Sequence, residues 1–173
     1  MIKLEPLTGS HDRLGFDCGV EVLNSWLQRT ALQHQGRGIS RSFVAVLHDG
    51  EAVSTCLKLG YKSIGLNSIL GFYALAFAQA IVEDIPPGVG KRFPRQIPVT
   101  RLGRLAIRSD LKGQGLGALL LADAISRARN VAQAVGSTGI VVDAKDEVAS
   151  SFYQRYGFVV CQQEPIKLFL PMW

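Results

Sequence analysis

The stretch Lys112-Gly113-Gln114-Gly115-Leu116-Gly117 lies between a predicted strand at 98–108 and a long predicted helix at 115–135. Glycine has no Cβ, so the backbone of such a loop can approach a ligand closely and point several N–H groups at one place. The start of a helix adds partial positive charge, and Lys112 adds a full charge. The stretch therefore predicts a binding site for a phosphate-bearing anion.

Spacing excludes two better-known glycine loops. The dinucleotide fingerprint G-x-G-x-x-G fails because Gly117 arrives one residue early. The P-loop G-x-x-x-x-G-K-[S/T] fails because Gly90-Lys91 is followed by Arg92, and because Ile85 occupies the place of its first glycine. On the glycines alone, a strand–helix turn without a ligand remains the alternative.

The bulk properties fit one folded domain over residues 1–173. The chain has 173 residues, a hydrophobic fraction of 47% and a formal net charge of +5. The hydrophobic fraction is large enough for a core, and the charge is a mild bias towards anionic partners. Predicted strands and helices alternate along the chain, which indicates an α/β or α+β fold.

The three cysteines, Cys18, Cys56 and Cys161, are far apart and form no C-x-x-C pair. Together with the absence of an H-E-x-x-H motif, this predicts neither a metal site nor a disulfide framework, and it favours a reducing cytoplasm. The most apolar run, 69–78, is too short for a bilayer, which takes roughly 20 residues. We therefore expect no membrane span, and the N-terminus shows no signal peptide.

Hydrophobic periodicity predicts the order of the elements. Asp146 is the expected N-cap of the last helix. The segment 54–62 stays open between strand and irregular structure, and 86–95 is a loop. The predicted helices cover 21–34, 115–135 and 146–156, and the predicted strands cover 42–47, 70–77, 98–108, 140–142, 158–162 and 167–170.

A second pattern, Ala149-x-x-x-Tyr153-x-x-x-Gly157-Phe158, lies downstream of the glycine loop. Alone it is weak, because an aromatic pair such as Phe152-Tyr153 on a helix is commonly part of the core. The two patterns together, in this order and spacing, resemble the GNAT superfamily of N-acetyltransferases. One departure is Lys112, which stands where the family usually has Arg or Gln and keeps the positive charge.

The resemblance implies a mixed central sheet splayed around acetyl-CoA, with flanking helices and acetyl-CoA as the acetyl donor. It implies that backbone groups near Leu105, Ala106 and Ile107 pair with the pantetheine arm. It also implies that Tyr153 protonates the departing CoA thiolate, a task that suits a phenol within hydrogen-bond reach. The remaining cofactor-binding residues implied in this way are Lys112, Gly113, Gln114, Gly115, Leu116, Gly117, Ala118, Asp146 and Phe152.

Softer motifs resemble one GNAT branch, the toxins of type II toxin–antitoxin modules that acetylate the α-amino group of aminoacyl-tRNA and block translation. These motifs are Phe16-Asp17-Cys18-Gly19, Leu23-Asn24-x-Trp26-Leu27, Arg41 to Val44, Gly71 to Leu75, and Pro98 to Ile107. The branch implies a homodimer and a small ribbon–helix–helix antitoxin. The amino group of an aminoacyl ester is also weakly basic, which agrees with the lack of an evident general base in the sequence.

Basic residues agree with an RNA substrate. Arg101, Arg104 and Arg108 are spaced so that several are expected to share a strand face, which would track a phosphate backbone. The alternatives are a solvated face, or arginines that pair with CoA or with acidic side chains. The residues predicted to contact RNA are Lys91, Arg92, Arg95 and Arg104.

Two other functions remain open from the sequence. One is a GNAT enzyme of ordinary metabolism that acetylates a small-molecule amine or a protein N-terminus. The other is a non-catalytic module that binds CoA or RNA.

Overall fold

The computed structural model describes residues 1–91, 93–161 and 164–172, and within them the chain forms seven strands and five α-helices. The strands are β1 (Ile2–Pro6), β2 (Arg41–Leu47), β3 (Gly71–Ile81), β4 (Gln96–Ile107), β5 (Gly139–Asp143), β6 (Val159–Cys161) and β7 (Glu164–Pro171). The helices are α1 (Glu21–Arg29), α2 (Ala31–Gly36), α3 (Gly50–Lys58), α4 (Leu116–Ala134) and α5 (Glu147–Arg155).

The strands form one mixed sheet in the order β1-β2-β3-β4-β5-β7-β6. Strand β1 is antiparallel to β2, and β7 is antiparallel to both β5 and β6. Strands β4 and β5 are parallel, with Thr100–Leu102 opposite Ile140–Val142. This mixed sheet with flanking helices confirms the predicted fold class.

The chain divides into two compact units. The first unit comprises Met1–Ala74 and Arg104–Asp123, and the second comprises Leu75–Gly103 and Ala124–Trp173. Each has its own buried apolar cluster, which is the expected driving force for its folding. The first cluster includes Leu7, Phe16, Leu27, Val44 and Phe72, and the second includes Ile85, Ile97, Val99, Val141 and Phe169. The single catalytic domain over 1–173 stays a prediction.

Two segments of the first unit differ from their predicted secondary structure. The predicted helix at 21–34 is two helices, because the chain bends at Thr30, where φ is −118° and ψ is −35°. The segment 54–62, expected to be a strand or irregular, is helical as far as Lys58. Asp49 begins that helix, since its side chain accepts a hydrogen bond of 2.8 Å from the backbone N–H of Ala52.

Helical spacing in the sequence predicts one apolar stripe for α4, and this prediction was partly wrong: its members are Leu116, Leu119, Leu120, Ala124, Ala128 and Val131. Its members Leu116, Leu120, Ala124 and Ala128 are buried as expected, but Leu119 is 42% exposed and Val131 is 41% exposed. Leu119 lies on the other side of the helix at 100° per residue, and Val131 is near the C-terminal end. Leu121, which the predicted stripe omitted, is fully buried.

Cys18, Cys56 and Cys161 are buried free thiols. No helix among the described residues combines the length and the apolar character needed to cross a membrane.

Candidate active site

The glycine loop connects β4 to α4. After β4 the chain makes a short 3₁₀ turn, Ser109–Leu111, and then runs extended through Lys112. Gly113 and Gly115 follow with φ of 79° and 84°, and α4 begins at the next residue, Leu116. A Cβ at either glycine would have no heavy atom within 4 Å, so glycine is required here by backbone conformation and not by crowding within the protein.

Two polar side chains of the loop have partners in the first unit. Nζ of Lys112 donates a hydrogen bond of 2.8 Å to the backbone carbonyl of Cys18. Nε2 of Gln114 donates one of 2.8 Å to the hydroxyl of Tyr61. An ammonium group has three N–H donors, so Lys112 keeps donors for a ligand. Both residues and both loop glycines are exposed to solvent.

Leu105, Ala106 and Ile107, the residues predicted to hold the pantetheine arm, are the last three of β4. Ala106 is buried and belongs to the apolar cluster of the first unit. The register of β4 with β5 ends at Leu102 among the described residues, so β4 continues past its last β5 partner. Backbone N–H and C=O groups of such an extension suit pairing with an extended ligand.

A pocket of about 200 Å³ borders the glycine loop in the first unit. Its lining is mainly apolar, and sequence periodicity gave no sign of it because its residues come from six separate segments. The lining residues in or next to the loop are Leu111, Gln114, Gly115, Leu116 and Leu119. Tyr61, from the segment after α3, also lines the pocket.

In the second unit, α5 carries the predicted proton donor. Oδ1 of Asp146 accepts a hydrogen bond of 2.8 Å from the Ala149 backbone N–H, which confirms Asp146 as the N-cap. Tyr153 is buried, and its ring packs on Phe152 and Phe158 with centroids 5.3 and 5.4 Å apart. Burial raises the pKa of Tyr153 to about 12, so the phenol is protonated at neutral pH.

The predicted RNA-binding residues are placed differently from one another. Lys91 and Arg95 are exposed in the loop before β4, while Arg92 lies outside the described residues. Arg104 is half-buried in the first unit, and its guanidinium lies 4.0 Å from the ring centre of Trp26. Trp26 itself is buried and stacks on Phe72, so it is a rigid platform for the arginine. The sequence placed Trp26 in the motif Leu23-Asn24-x-Trp26-Leu27 and predicted no contact with an arginine.

The other two arginines of the predicted common face pair with carboxylates. Arg101 forms an ion pair of 2.7 Å with Asp143 in the second unit. Arg108 forms one of 2.9 Å with Asp110 in the first unit and also donates to the backbone carbonyl of Lys62. For these two residues the structure shows the acidic pairing that the sequence left open as an alternative.

Residues 74–172 match the family model described as the acetyltransferase (GNAT) domain. The match covers more than half of the chain and includes the glycine loop and α5. The chain belongs to the GNAT acetyltransferase family.

Relatives within this GNAT family share almost the whole chain. A tRNA-acetylating toxin from Mycobacterium tuberculosis is 32% identical over 166 residues, which is 96% of this chain and 89% of that protein. The solved structure of AtaT complexed with acetyl-methionyl-tRNAfMet has a TM-score of 0.83 and 30% identity, and the match covers 99% of this chain and 95% of that one. A tyrosine-to-phenylalanine mutant of AtaT, bound to the C-terminus of the antitoxin AtaR and acetyl-CoA, has a TM-score of 0.75 and 29% identity over 99% and 93%.

Proposed function

We propose that this GNAT enzyme is an acetyl-CoA-dependent N-acetyltransferase toxin that acetylates the α-amino group of aminoacyl-tRNA and thereby blocks translation. The single observation on which the choice of aminoacyl-tRNA as acceptor rests is the 32% identity to a tRNA-acetylating toxin across 96% of the chain. The donor is supported by the glycine loop at the start of α4 and by the acetyl-CoA bound to the similar AtaT.

The donor site uses two kinds of backbone group. The N–H groups of Gly113 to Ala118, together with the positive end of α4, would hold the pyrophosphate of acetyl-CoA. The end of β4 from Leu105 to Ile107 would pair with the amides of the pantetheine arm. Asp146 and Phe152 complete the proposed set of cofactor-binding residues. Since the side chain of Asp146 caps α5, its proposed contribution is indirect, through the position of that helix.

Acetyl transfer to the amine requires a good leaving group. The lone pair of the amine attacks the thioester carbonyl, a C–N bond forms, and the C–S bond breaks as CoA leaves as a thiolate. The amine proton passes to solvent, and the thiolate takes a proton at the end. A thiol has a pKa of about 8.5, well below the pKa of about 12 for Tyr153. The phenol of Tyr153 therefore acts first as a hydrogen-bond donor to the sulfur, and complete proton transfer to the thiolate is uphill.

The acceptor amine explains why no strong general base is needed. An α-amino group has a pKa of about 7.7–8.0, and esterification of the neighbouring carboxyl lowers it further. Much of the amine is therefore neutral near pH 7. Arg104, held over Trp26, is our proposed phosphate contact on β4, and Lys91, Arg92 and Arg95 are further proposed RNA contacts.

The remaining partners follow from the same branch of the family. We infer a homodimer in the cytoplasm and neutralisation by a ribbon–helix–helix antitoxin. The complex of AtaT with the C-terminus of AtaR supports an antitoxin for this chain too.

Expression in a bacterial host tests the toxin function. We expect the intact chain to arrest growth and incorporation of labelled amino acids, and Tyr153→Phe to relieve the arrest at equal protein levels. Unimpaired growth with abundant intact protein would contradict the toxin function and favour a small amine or protein N-terminus as acceptor. An equal arrest by Tyr153→Phe would point instead to a non-catalytic RNA-binding module.

A further inference from the structure

The motif Phe16-Asp17-Cys18-Gly19, which the transfer chemistry leaves unused, forms a turn before α1. Oδ1 of Asp17 accepts hydrogen bonds from the Gly19 backbone N–H at 2.8 Å and from Nδ2 of Asn24 at 2.9 Å. Oδ1 of Asn24 accepts one of 2.9 Å from the Cys18 backbone N–H. Asn24 is 5% exposed, so both ends of a buried amide are used to fix this turn.

The same turn is bonded to the segment just before the glycine loop. The backbone N–H of Ser109 donates to the carbonyl of Asp17 at 2.9 Å, and Nζ of Lys112 donates to the carbonyl of Cys18 at 2.8 Å. Gly19 has a φ of +83°, and a Cβ there would lie 3.2 Å from Oγ of Ser109. The turn therefore fits closely against this segment and fixes the ammonium of Lys112 directly before Gly113.

Charge supports the same arrangement. The pKa of Asp17 is lowered by the Gly19 backbone N–H first, then by the Asn24 amide, and then by the charge of Lys112. Asp17 is thus ionised at neutral pH, and it attracts the ammonium towards the turn.

Fixing the Lys112 side chain before the ligand arrives lowers the entropy that is lost on binding. A lysine side chain has many rotamers, and a ligand that immobilises it loses affinity by that entropy. The Cys18 carbonyl already selects one arrangement of Lys112, while leaving other N–H donors of the ammonium for an anion. A side chain that keeps the Cys18 carbonyl in place then influences anion affinity without touching the anion.

We propose that Asn24 is a positioning residue for the acetyl donor: through the Asp17–Gly19 turn it holds Lys112 where its ammonium meets the pyrophosphate of acetyl-CoA. This inference rests on the proposed function in taking that anion to be acetyl-CoA. The hydrogen bonds on which it rests link the Phe16–Gly19 and Leu23–Leu27 motifs to the glycine loop.

A double-mutant cycle read by calorimetric binding of coenzyme A tests the inference. Asn24→Asp keeps the shape and the acceptor for Cys18 but places a second carboxylate against Asp17. We expect Asn24→Asp and Lys112→Met each to raise the Kd for coenzyme A about tenfold, or about 1.4 kcal/mol. Because Asn24 acts through Lys112, adding Asn24→Asp to Lys112→Met is expected to change Kd less than twofold.

The controls separate positioning from folding. Asn130→Asp makes the same chemical change at an exposed position of α4 and is expected to leave Kd unchanged. If Asn24→Asp does not fold, Asp17→Ala replaces it, since Asp17 is exposed and its loss frees the same turn. An unchanged Kd in the folded Asn24→Asp or Asp17→Ala variant would overturn this inference and leave the proposed function standing. The same holds if Asn24→Asp raises Kd equally with and without Lys112→Met. Failure of the unaltered chain to bind coenzyme A would overturn the proposed function as well.

Discussion

At the residue scale, the burial of Tyr153 sets its chemistry. A phenol with a pKa of about 12 donates a hydrogen bond throughout the neutral range and loses that ability only as pH rises through its pKa. The aromatic neighbours Phe152 and Phe158 exclude water from the ring and are therefore part of the cause.

We expect Tyr153→Phe to lower kcat about 100- to 1,000-fold, as for loss of a hydrogen-bond donor to a developing negative charge, and to leave the KM for acetyl-CoA unchanged. In the unaltered enzyme, kcat is expected to show no alkaline fall from this group up to about pH 10, the ordinary pKa of tyrosine. Steady-state kinetics from neutral to alkaline pH measures both. An alkaline fall below about pH 10 that is present in the unaltered enzyme and absent in Tyr153→Phe would contradict the raised pKa, and an unchanged kcat in Tyr153→Phe would contradict the role.

Arg104 is the second residue with a specific prediction. Its guanidinium lies 4.0 Å from the ring centre of Trp26, which is a cation–π contact, and the compact ammonium of a lysine cannot stack on a ring as a planar guanidinium can. Arg104→Lys is therefore expected to raise the KM for charged tRNA several-fold and Arg104→Ala about tenfold, with Kd for coenzyme A unchanged. The matched control is Arg129→Lys, on an exposed position of α4. Equal effects on both substrates would assign Arg104 to the fold instead.

At the element scale, the start of α4 joins glycines of positive φ to the proposed phosphate site. Gly113 and Gly136 flank α4, both with positive φ and both with open space around a Cβ. Alanine at either costs about 1–2 kcal/mol of stability. Only Gly113→Ala is expected to weaken coenzyme A binding, because it alone changes the N–H groups that face the phosphate. Thermal unfolding and calorimetry check the pair, and a similar loss of affinity in Gly136→Ala would contradict this.

Elements with strong periodicity could be predicted from sequence, and others could not. The strands β2, β3 and β4 and the helices α4 and α5 were confirmed because long apolar patterns and the Asp146 cap define them. Helix α3 was missed because Val53, Ser54 and Thr55 have weak helix propensity, and its decisive signal is the Asp49 cap. The bend at Thr30 depends on packing that periodicity does not encode.

The candidate site likewise has features that could be predicted from the sequence and features that could not. The glycine loop could be singled out because phosphate binding requires glycines at fixed spacing before a helix, whereas the proposed role of Tyr153 came from the resemblance to the GNAT superfamily. The platform of Trp26 under Arg104 and the bond from Lys112 to Cys18 join residues far apart in sequence, 78 and 94 positions respectively, so no local pattern reveals them. The pairing of Arg101 and Arg108 with carboxylates likewise appears only in the folded chain.

At the scale of the whole molecule, the proposed site residues are distributed over both compact units. The first unit carries the glycine loop, Lys112 and Arg104, and the second carries Tyr153 and the basic loop with Lys91 and Arg95. The tRNA-acetylating toxin from Mycobacterium tuberculosis is similar over 96% of this chain, so that match extends over both units.

The most direct measurement is incubation of the purified chain with radiolabelled acetyl-CoA and a pool of charged tRNA, followed by mass spectrometry of the aminoacyl ends. We predict label on the α-amino group of one or more aminoacyl-tRNAs, none on uncharged tRNA, and a loss of at least about 100-fold in rate with Tyr153→Phe. Fast labelling of a free amine or a protein N-terminus, with charged tRNA left unlabelled, would contradict the proposed function.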